Sequence, residues 1–389
     1  MLFQVPALTD EDRHVLSEID DLRSVLGFHL RDARRWKGQL RRNLRARAIR
    51  GSNSIEGYDV TLDDAVALLE DEEPLDADKM TVLEIVGYRN ALTYVQELAG
   101  DEHMVVDESL LRSLHFMMIG HDLTKSPGRY RRAPIYVYDE EHQRQVYEGP
   151  SSERVPELMA ALVADLQAPD DACPIFVRAA MAHLNLVMVH PFGDGNGRMA
   201  RALQTLILAR ERILTPEFSS IEEWLGRNTA AYYEVLARTG GGRWQPDRST
   251  RDWVRFNLTA HHIQAQTVLR RVDDSSRMYV TLESLVDSRR LPERTTFALY
   301  PAVFGLRVRR SVYQKDAEIE PGTAARDLRM LVDAGWLEAR GETKGRYYSP
   351  TPELLRIRQD ALGDRQPLRD PYGVGEQLEI SGVLGSAGS

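Results

Sequence analysis

Two apolar segments, IFVRAAMAHLNLVMVH (Ile175–His190) and NGRMARALQTLILARER (Asn196–Arg212), are separated only by PFGDG. In the first, Phe176, Val177, Ala180, Met181, Leu184, Val187 and Met188 recur with helical spacing and nearly encircle the axis. A helix that is apolar all round leaves no face for water and must be central and buried. The second segment reads as another core helix, so the chain has to build a helical body around this pair. Elsewhere, TLDDAVALLEDE restarts a helix from a Thr cap, and DKMTVLEIVGYRNALTYVQEL, SERVPELMAALVADL and SIEEWLGRNTAAYYEVLART each read as a helix. Helix is also expected from Thr9 to about Arg50, with Leu16, Ile19, Leu22 and Leu26 forming the apolar face of an amphipathic surface or dimer helix, before GSNSIEG interrupts it.

At 389 residues two or three cores are expected. The balance of 50 Lys+Arg against 59 Asp+Glu, with 42% hydrophobic residues, argues for a globular enzyme or regulator over a dedicated polyanion binder. Cys173 is the sole cysteine, which excludes an intrachain disulfide and a Cys-based zinc site and suits a reducing cytoplasm. MLFQVPALTDEDRH has no basic leader followed by an apolar run, and no segment approaches a membrane span. A soluble, unprocessed, cytoplasmic protein without a membrane partner is expected.

IYVYDEEHQRQVY carries two β-prone runs, Ile135–Tyr138 and Gln145–Tyr147, around a polar turn, which predicts a small hairpin leaning on the helical body. GGGRWQPDRST reads as a connector. From about Arg270, TLESLVDSRRL and TTFALYPAVFG suggest two short helices, and EPGTAARDLRMLVDAGWLEARGETKGRYYSP a capped helix, a turn and two strands, the order of a winged helix-turn-helix. Arg326 and Arg329 fall on its candidate recognition helix and Arg340, Lys344 and Arg346 in the wing, a pattern compatible with DNA phosphates or with protein docking. The end of the chain, DRQPLRDPYGVGEQLEISGVLGSAGS, reads as a loose tail.

HPFGDGNGRMAR (His190–Arg201) concentrates the chemistry. The loop precedes a helix N-terminus, where bare N–H groups make an anion site. Gly195 and Gly197 allow close approach of phosphate to the backbone, and Arg198 and Arg201 add charge, which together point to a di- or triphosphate. Asp194 offers a hard oxygen for Mg²⁺, and His190, with an ordinary pKa of about 6.5, can accept a proton from an attacking hydroxyl. There is no GxxxxGK[ST] phosphate loop, no third ligand for an EF-hand, and no preceding strand for a dinucleotide fold.

HPFGDGNGRMAR matches the HxFx[DE]GNGRxxR signature of the Fic family, and the chain resembles members that transfer AMP from ATP to a hydroxyl side chain of a target protein. The resemblance implies a mainly α fold: a Fic-type helical bundle with a hairpin flap over the active site, followed here by the winged helix. His190 would be the general base, Phe192 the anchor of the loop, and Asp194 the Mg²⁺ ligand. Gly193, Gly195, Asn196 and Gly197 would line the nucleotide's phosphates, with Arg198 and Arg201 on the outer ones. The kinase-like branch has lysine where Gly197 stands, so Gly197 favours AMP transfer. Ile135, Tyr136, Val137 and Tyr138 would form the target-docking flap strand, although Tyr138 and Asp139 stand where relatives commonly have Gly. Asn228, Tyr232 and Tyr233 lie where relatives contact adenine and ribose.

SNSIEG fits the family's [ST]xxxE[GN] inhibitory motif: Ser52 would tie down its helix, Glu56 would pair bidentately with Arg201 against ATP, and Gly57 would permit the helix's sharp end. The expected division is an N-terminal helical region at 1–100, a catalytic core at 101–245 with its flap at 134–148, a winged helix at 246–355 and a tail at 356–389. The expected function is modification of a target or of the protein itself, with ATP and Mg²⁺. The competing readings are removal of AMP from a target, and a DNA-binding regulator whose core senses nucleotide; a homodimer is compatible with all three.

Overall fold

The computed structural model describes residues 1–31, 34–101, 103–139, 144–168, 173–210, 214–342 and 345–373. The chain divides into two compact units, Met1–Ala265 and a second from Gln266 onward. The observed division therefore differs from the expected one. No boundary falls near 100, and the boundary between the units lies at 265/266, inside a helix, whereas the expected 245/246 falls in the non-helical connector before that helix.

In the first unit, Thr9 caps α1 (Asp10–His29) in a reciprocal box with Asp12, whose carboxylate accepts the Thr9 N–H at 2.9 Å. The single long helix expected up to about Arg50 is instead two, because the chain breaks after α1 and restarts at Trp36 as α2 (Lys37–Ile55). GSNSI also differs from expectation and forms the last turn of α2. Asn53 Nδ2 and Ser54 Oγ turn back to donate to Ile49 O (2.8 Å) and Gly51 O (3.0 Å), so these donors are satisfied without leaving the helix. α3 (Leu62–Leu69) and α4 (Lys79–Leu98) follow, capped by Thr61 and Asp78, then α5 (Glu108–Ile119).

The hairpin β1 (Tyr136–Asp139) and β2 (Arg144–Glu148) is antiparallel, with its turn outside the described residues. After α6 (Val155–Gln167) come α7 (Ile175–Val189) and α8 (Asn196–Arg210). Burial reaches 12 of 15 residues in α7 and 13 of 15 in α8, which makes this pair the centre of the unit. Inside it Asn185 binds Phe3 from both sides, accepting its N–H (2.9 Å) and donating to its carbonyl (3.2 Å).

α9 (Pro216–Ser219), α10 (Glu222–Arg227) and α11 (Thr229–Gly240) complete the wall, and α12 (Arg251–Ser288) begins after the connector. The helix expected over SIEEWLGRNTAAYYEVLART is broken at Asn228, whose backbone (φ −120°, ψ 35°) leaves the helical region while its side chain donates to Trp224 O. TLESLVDSRRL forms no separate short helix, because α12 runs unbroken for 38 residues with no Gly or Pro to stop it.

The second unit contains α13 (Thr296–Val303), β3 (Val308–Arg309), α14 (Arg310–Asp316), α15 (Pro321–Asp333), β4 (Leu337–Arg340), β5 (Tyr347–Pro350) and α16 (Pro352–Leu362). Its antiparallel sheet has the order β3-β5-β4. Leu299, Val303, Leu328, Leu331, Trp336 and Leu354 form its core. Asp327 is buried there and satisfied by Arg294 (2.7 and 3.0 Å) and the Tyr313 hydroxyl (2.8 Å). The expected loose tail is ordered through residue 373: Thr351 caps α16, and Pro367 O and Arg369 O accept from Arg270 and Gln266 of α12 (2.9 Å each). Lys344 and the tail from 374 lie outside the described residues. Among the described residues no helix is long and apolar enough to cross a membrane.

Candidate active site

α7 ends at His190, which takes a left-handed conformation (φ 49°) and caps the helix with its N–H on Leu186 O. That conformation is uncommon for a residue with a side chain. It turns the ring back so that Nδ1 meets Val187 O at 2.9 Å. A carbonyl only accepts, so Nδ1 carries the proton and Nε2 keeps a free lone pair. Burial, with Arg131 adding to it, holds the His190 pKa below its ordinary value, so the ring is neutral at pH 7.

The loop beyond is braced from inside. Phe192 is fully buried and stacks on His115 with ring centroids 3.7 Å apart. His115 accepts the Gly128 N–H at Nδ1 (2.8 Å) and donates from Nε2 to Asp194 O (2.9 Å), while burial lowers its pKa to about 4. Asn196 exchanges two 3.0 Å hydrogen bonds with the backbone of Phe192, so its side chain closes the loop and only its N–H remains for an anion. Gly195 has φ +75° and carries the chain into α8.

The two arginines have separate partners. Arg201 donates from Nε to Ser52 Oγ (2.7 Å) and from Nη2 to Ser52 O (2.9 Å) and Glu56 Oε1 (2.6 Å). The bidentate Glu56 pair expected from the sequence is thus a single contact through Nη2; Ser52 shares the Nε–Nη2 edge, and Nη1 makes no hydrogen bond among the described residues. A Cβ on Gly197 would collide with Glu56 Oε1, so the missing side chain makes room for this carboxylate at the opening of α8. Gly57, at φ +83°, turns the chain away after α2. Burial opposes the charge of Arg201, but Glu56 more than offsets it and raises the pKa.

Arg198, expected on phosphate beside Arg201, is buried against Glu84 Oε2 (2.5 Å) and lies over the Tyr58 ring. Glu84 also meets Lys125 (3.1 Å) and His121 (3.3 Å). Burial pushes the Glu84 carboxyl up, yet Arg198 and Lys125 outweigh it and leave it below the usual range. Lys125 bridges onward to Asp194 Oδ2 at 2.7 Å.

No group of three or more His, Cys, Asp or Glu side chains among the described residues could hold a metal by itself. Mg²⁺ commonly uses one or two carboxylates plus substrate phosphates and water. Asp194, partly exposed beside the opening of α8, fits that single-carboxylate mode.

Of the candidate adenine and ribose contacts, Asn228 is bound to Trp224 O, and Tyr232, 1% exposed, bonds His183 at 2.9 Å and shows no face to solvent. Tyr233 is 45% exposed and donates to Ile55 O (2.9 Å), at the end of the helix that carries Glu56. On the flap, Ile135 and Val137 are partly buried while Tyr136 and Tyr138 are exposed. The outer side of β2 is occupied: Glu148 N–H donates to Gly242 O and Glu148 O accepts from Trp244 N–H. Among the described residues β1 pairs with β2 alone, so its outer edge is the open one. Sequence reasoning missed Glu84, His115, Lys125 and Arg131, none of which lies in a motif, and all of which reach the site from distant segments.

Residues 105–208 match the model of the Fic/DOC family. A protein adenylyltransferase Fic of Nematostella vectensis is 29% identical over 211 residues, which cover 53% of this chain and 47% of that one. Protein adenylyltransferase fic-1 of Caenorhabditis elegans is 28% identical over 53% of this chain and 39% of its own. The chain thus spans less than half the length of these curated relatives. Among solved structures, a Fic family protein from Desulfovibrio desulfuricans superposes with a TM-score of 0.57 at 23% identity, covering 90% of this chain and 99% of that one. Fic-1 of C. elegans gives 0.51 at 25% identity over 67% and 71%.

Proposed function

We propose that this chain, which carries a Fic/DOC domain at residues 105–208, transfers AMP from ATP to a Tyr, Ser or Thr hydroxyl of a target protein or of itself. The observation that carries the reading is the neutral His190, with Nδ1 committed to Val187 and Nε2 free, beside the opening N–H groups of α8. The target strand adds to the open edge of β1 by main-chain pairing. His190 Nε2 takes the hydroxyl proton as the oxygen attacks the α-phosphorus. The new O–P bond forms, the bond to the bridging oxygen breaks, and pyrophosphate leaves. The remaining task is positioning and charge compensation, supplied by the α8 N-terminus and by Arg201. Asp194 is the residue that would hold Mg²⁺, whose charge would offset that of the phosphate oxygens.

Glu56 supports an autoinhibited ground state, since it takes both the Arg201 charge and the space over Gly197 that an outer phosphate needs. Glu56→Gly is therefore expected to raise AMP incorporation from labelled ATP, and adding His190→Ala to lower it by about 10²–10⁴-fold. Equal signals in the single and double variants would remove the assigned chemistry.

The second unit supports a winged helix-turn-helix reading, with α14 and α15 as the helix pair and β4–β5 as the wing. Arg326, Arg329, Arg340 and Arg346 are exposed on it, which suits DNA phosphates. Retention of duplex DNA that weakens with salt, and is lost on Arg326→Glu with Arg329→Glu, is the expected result; retention unchanged by the substitutions would assign the unit to another role.

A further inference from the structure

Three arginines, Arg129, Arg131 and Arg132, precede the flap, and Arg131 alone among them is buried. Among the described residues no carboxylate pairs with its guanidinium, which is held by carbonyls. Nε donates to His190 O (2.7 Å), Nη1 to Ala133 O (2.9 Å), and Nη2 to Pro150 O (2.6 Å) and, at 3.4 Å, to Val189 O. Its own N–H donates to Pro191 O at 2.8 Å. Ala133 enters the flap and Pro150 leaves it, while Val189 and His190 close α7. One planar group therefore touches both feet of the flap and the backbone of the proposed base.

The site also suits a cation electrostatically, because the carbonyl end of α7 is the negative end of its dipole. Gly149 guards the same place. A Cβ there would lie 2.6 Å from Ile135 Cγ2 and 3.2 Å from Arg131 Nη2. Tyr147 adds a second tie, its hydroxyl donating to Met188 O at 2.8 Å. The flap and the end of α7 thus share one fastening, and its centre is Arg131.

We propose that Arg131 is a positioning residue that fixes the target-docking flap and His190 relative to one another, so that a hydroxyl presented on β1 arrives at Nε2. The inference rests on the AMP-transfer reading given above. Lysine cannot replace it: an ammonium donates from one point and cannot span the four carbonyls, whereas the guanidinium fork does so without bending. Displacement of reacting groups by about 1 Å costs about 10²-fold in rate. Among the described residues Arg131 makes no hydrogen bond to Glu56, Arg201 or α8, so the nucleotide half of the site does not depend on it directly.

The test uses the full chain in the Glu56→Gly background, comparing Arg131→Lys and Gly149→Ala with their parent. Expected are a fall in kcat of about 10²-fold and a rise in target KM, with the affinity for a non-transferable ATP analogue, measured by calorimetry, within about twofold of the parent. Gly149→Ala keeps the arginine and displaces it, so it reports even where Arg131→Lys folds poorly. An unchanged kcat and target KM in both variants would overturn the proposal, as would a matching loss of ATP-analogue affinity. Hydrogen exchange supplies a readout free of the chemistry: the Gly149 and His190 amides are expected to lose protection together in either variant. Loss at one amide alone refutes the coupling. A parent without AMP incorporation but with joint loss of protection would refute only the reaction assigned above.

Discussion

Arg198 and Arg201 stand three residues apart on the same helix, and each is 1% exposed, but their partners differ in kind. Arg198 meets Glu84, whose side chain is wholly buried, on a helix that belongs to the body of the unit. Arg201 meets Glu56, 24% exposed and placed at the end of a helix just before a glycine turn. A buried pair leaves an uncompensated charge when it is broken, whereas a pair at a wet helix end can exchange its carboxylate for another anion. Two identical residues of one motif therefore have partners of different kinds, one sealed in the body of the unit and one within reach of solvent.

The sharpest way to break this comparison is to remove each carboxylate in turn. Glu84→Gln is expected to destabilise the chain by about 3–5 kcal/mol, the cost of leaving one buried partner alone. Glu56→Gly is expected to cost less, about 1–3 kcal/mol, because the buried Arg201 Nη2 keeps Ser52 O while solvent reaches the vacated place. Urea unfolding of the full-length variants measures both. Equal costs would show that Glu56 is as much a part of the core as Glu84 and is not open to exchange for another anion.

The next effect is smaller and concerns Ser52, which holds Arg201 through its side chain and its carbonyl. Ser52→Ala removes the Oγ acceptor from a buried Nε–H, at a cost of about 1–3 kcal/mol. The carbonyl and Glu56 remain, so AMP incorporation is expected to lie between that of the unsubstituted chain and Glu56→Gly. Incorporation equal to that of Glu56→Gly would make Ser52, rather than the carboxylate, the decisive hold on Arg201.

The contrast also explains which parts could be read in the sequence. α7 and α8 were legible because apolar residues on every side admit one environment, and Thr61, Asp78 and Gly57 mark helix ends by local chemistry. Glu56 and Arg201 were paired by motif. Glu84 was not legible, since a carboxylate 114 residues from its arginine leaves no local signal. The same holds for His115 under Phe192 and for Arg131 beneath the flap. TLESLVDSRRL was read as a short helix because nothing local in it shows that α12 runs on through it, and GSNSI was read as a turn because Asn and Ser favour turns unless their side chains bond back into the helix.

The smallest effect sharpens what lies behind Arg201. There the partners are neutral: His183 Nδ1 donates to Gln204 Oε1 (2.6 Å) and its Nε2 accepts from Tyr232, while Gln204 Nε2 donates to His261 Nε2 at 3.1 Å. Burial lowers the pKa of both His183 and His261 to about 3, and the charge of Arg201 adds to the effect on His183. Between these values and the ordinary 6.5, the unfolded chain binds a proton at each histidine that the folded chain refuses. Stability is therefore full above about pH 6.5 and falls as the pH drops, by up to about 1.4 kcal/mol per pH unit for each histidine. His261→Gln is expected to reduce that slope by one histidine's share in urea unfolding between pH 7.5 and pH 5. An unchanged slope would mean that His261 takes up its proton in the folded state, and that Arg201 faces a chargeable network behind as well as in front.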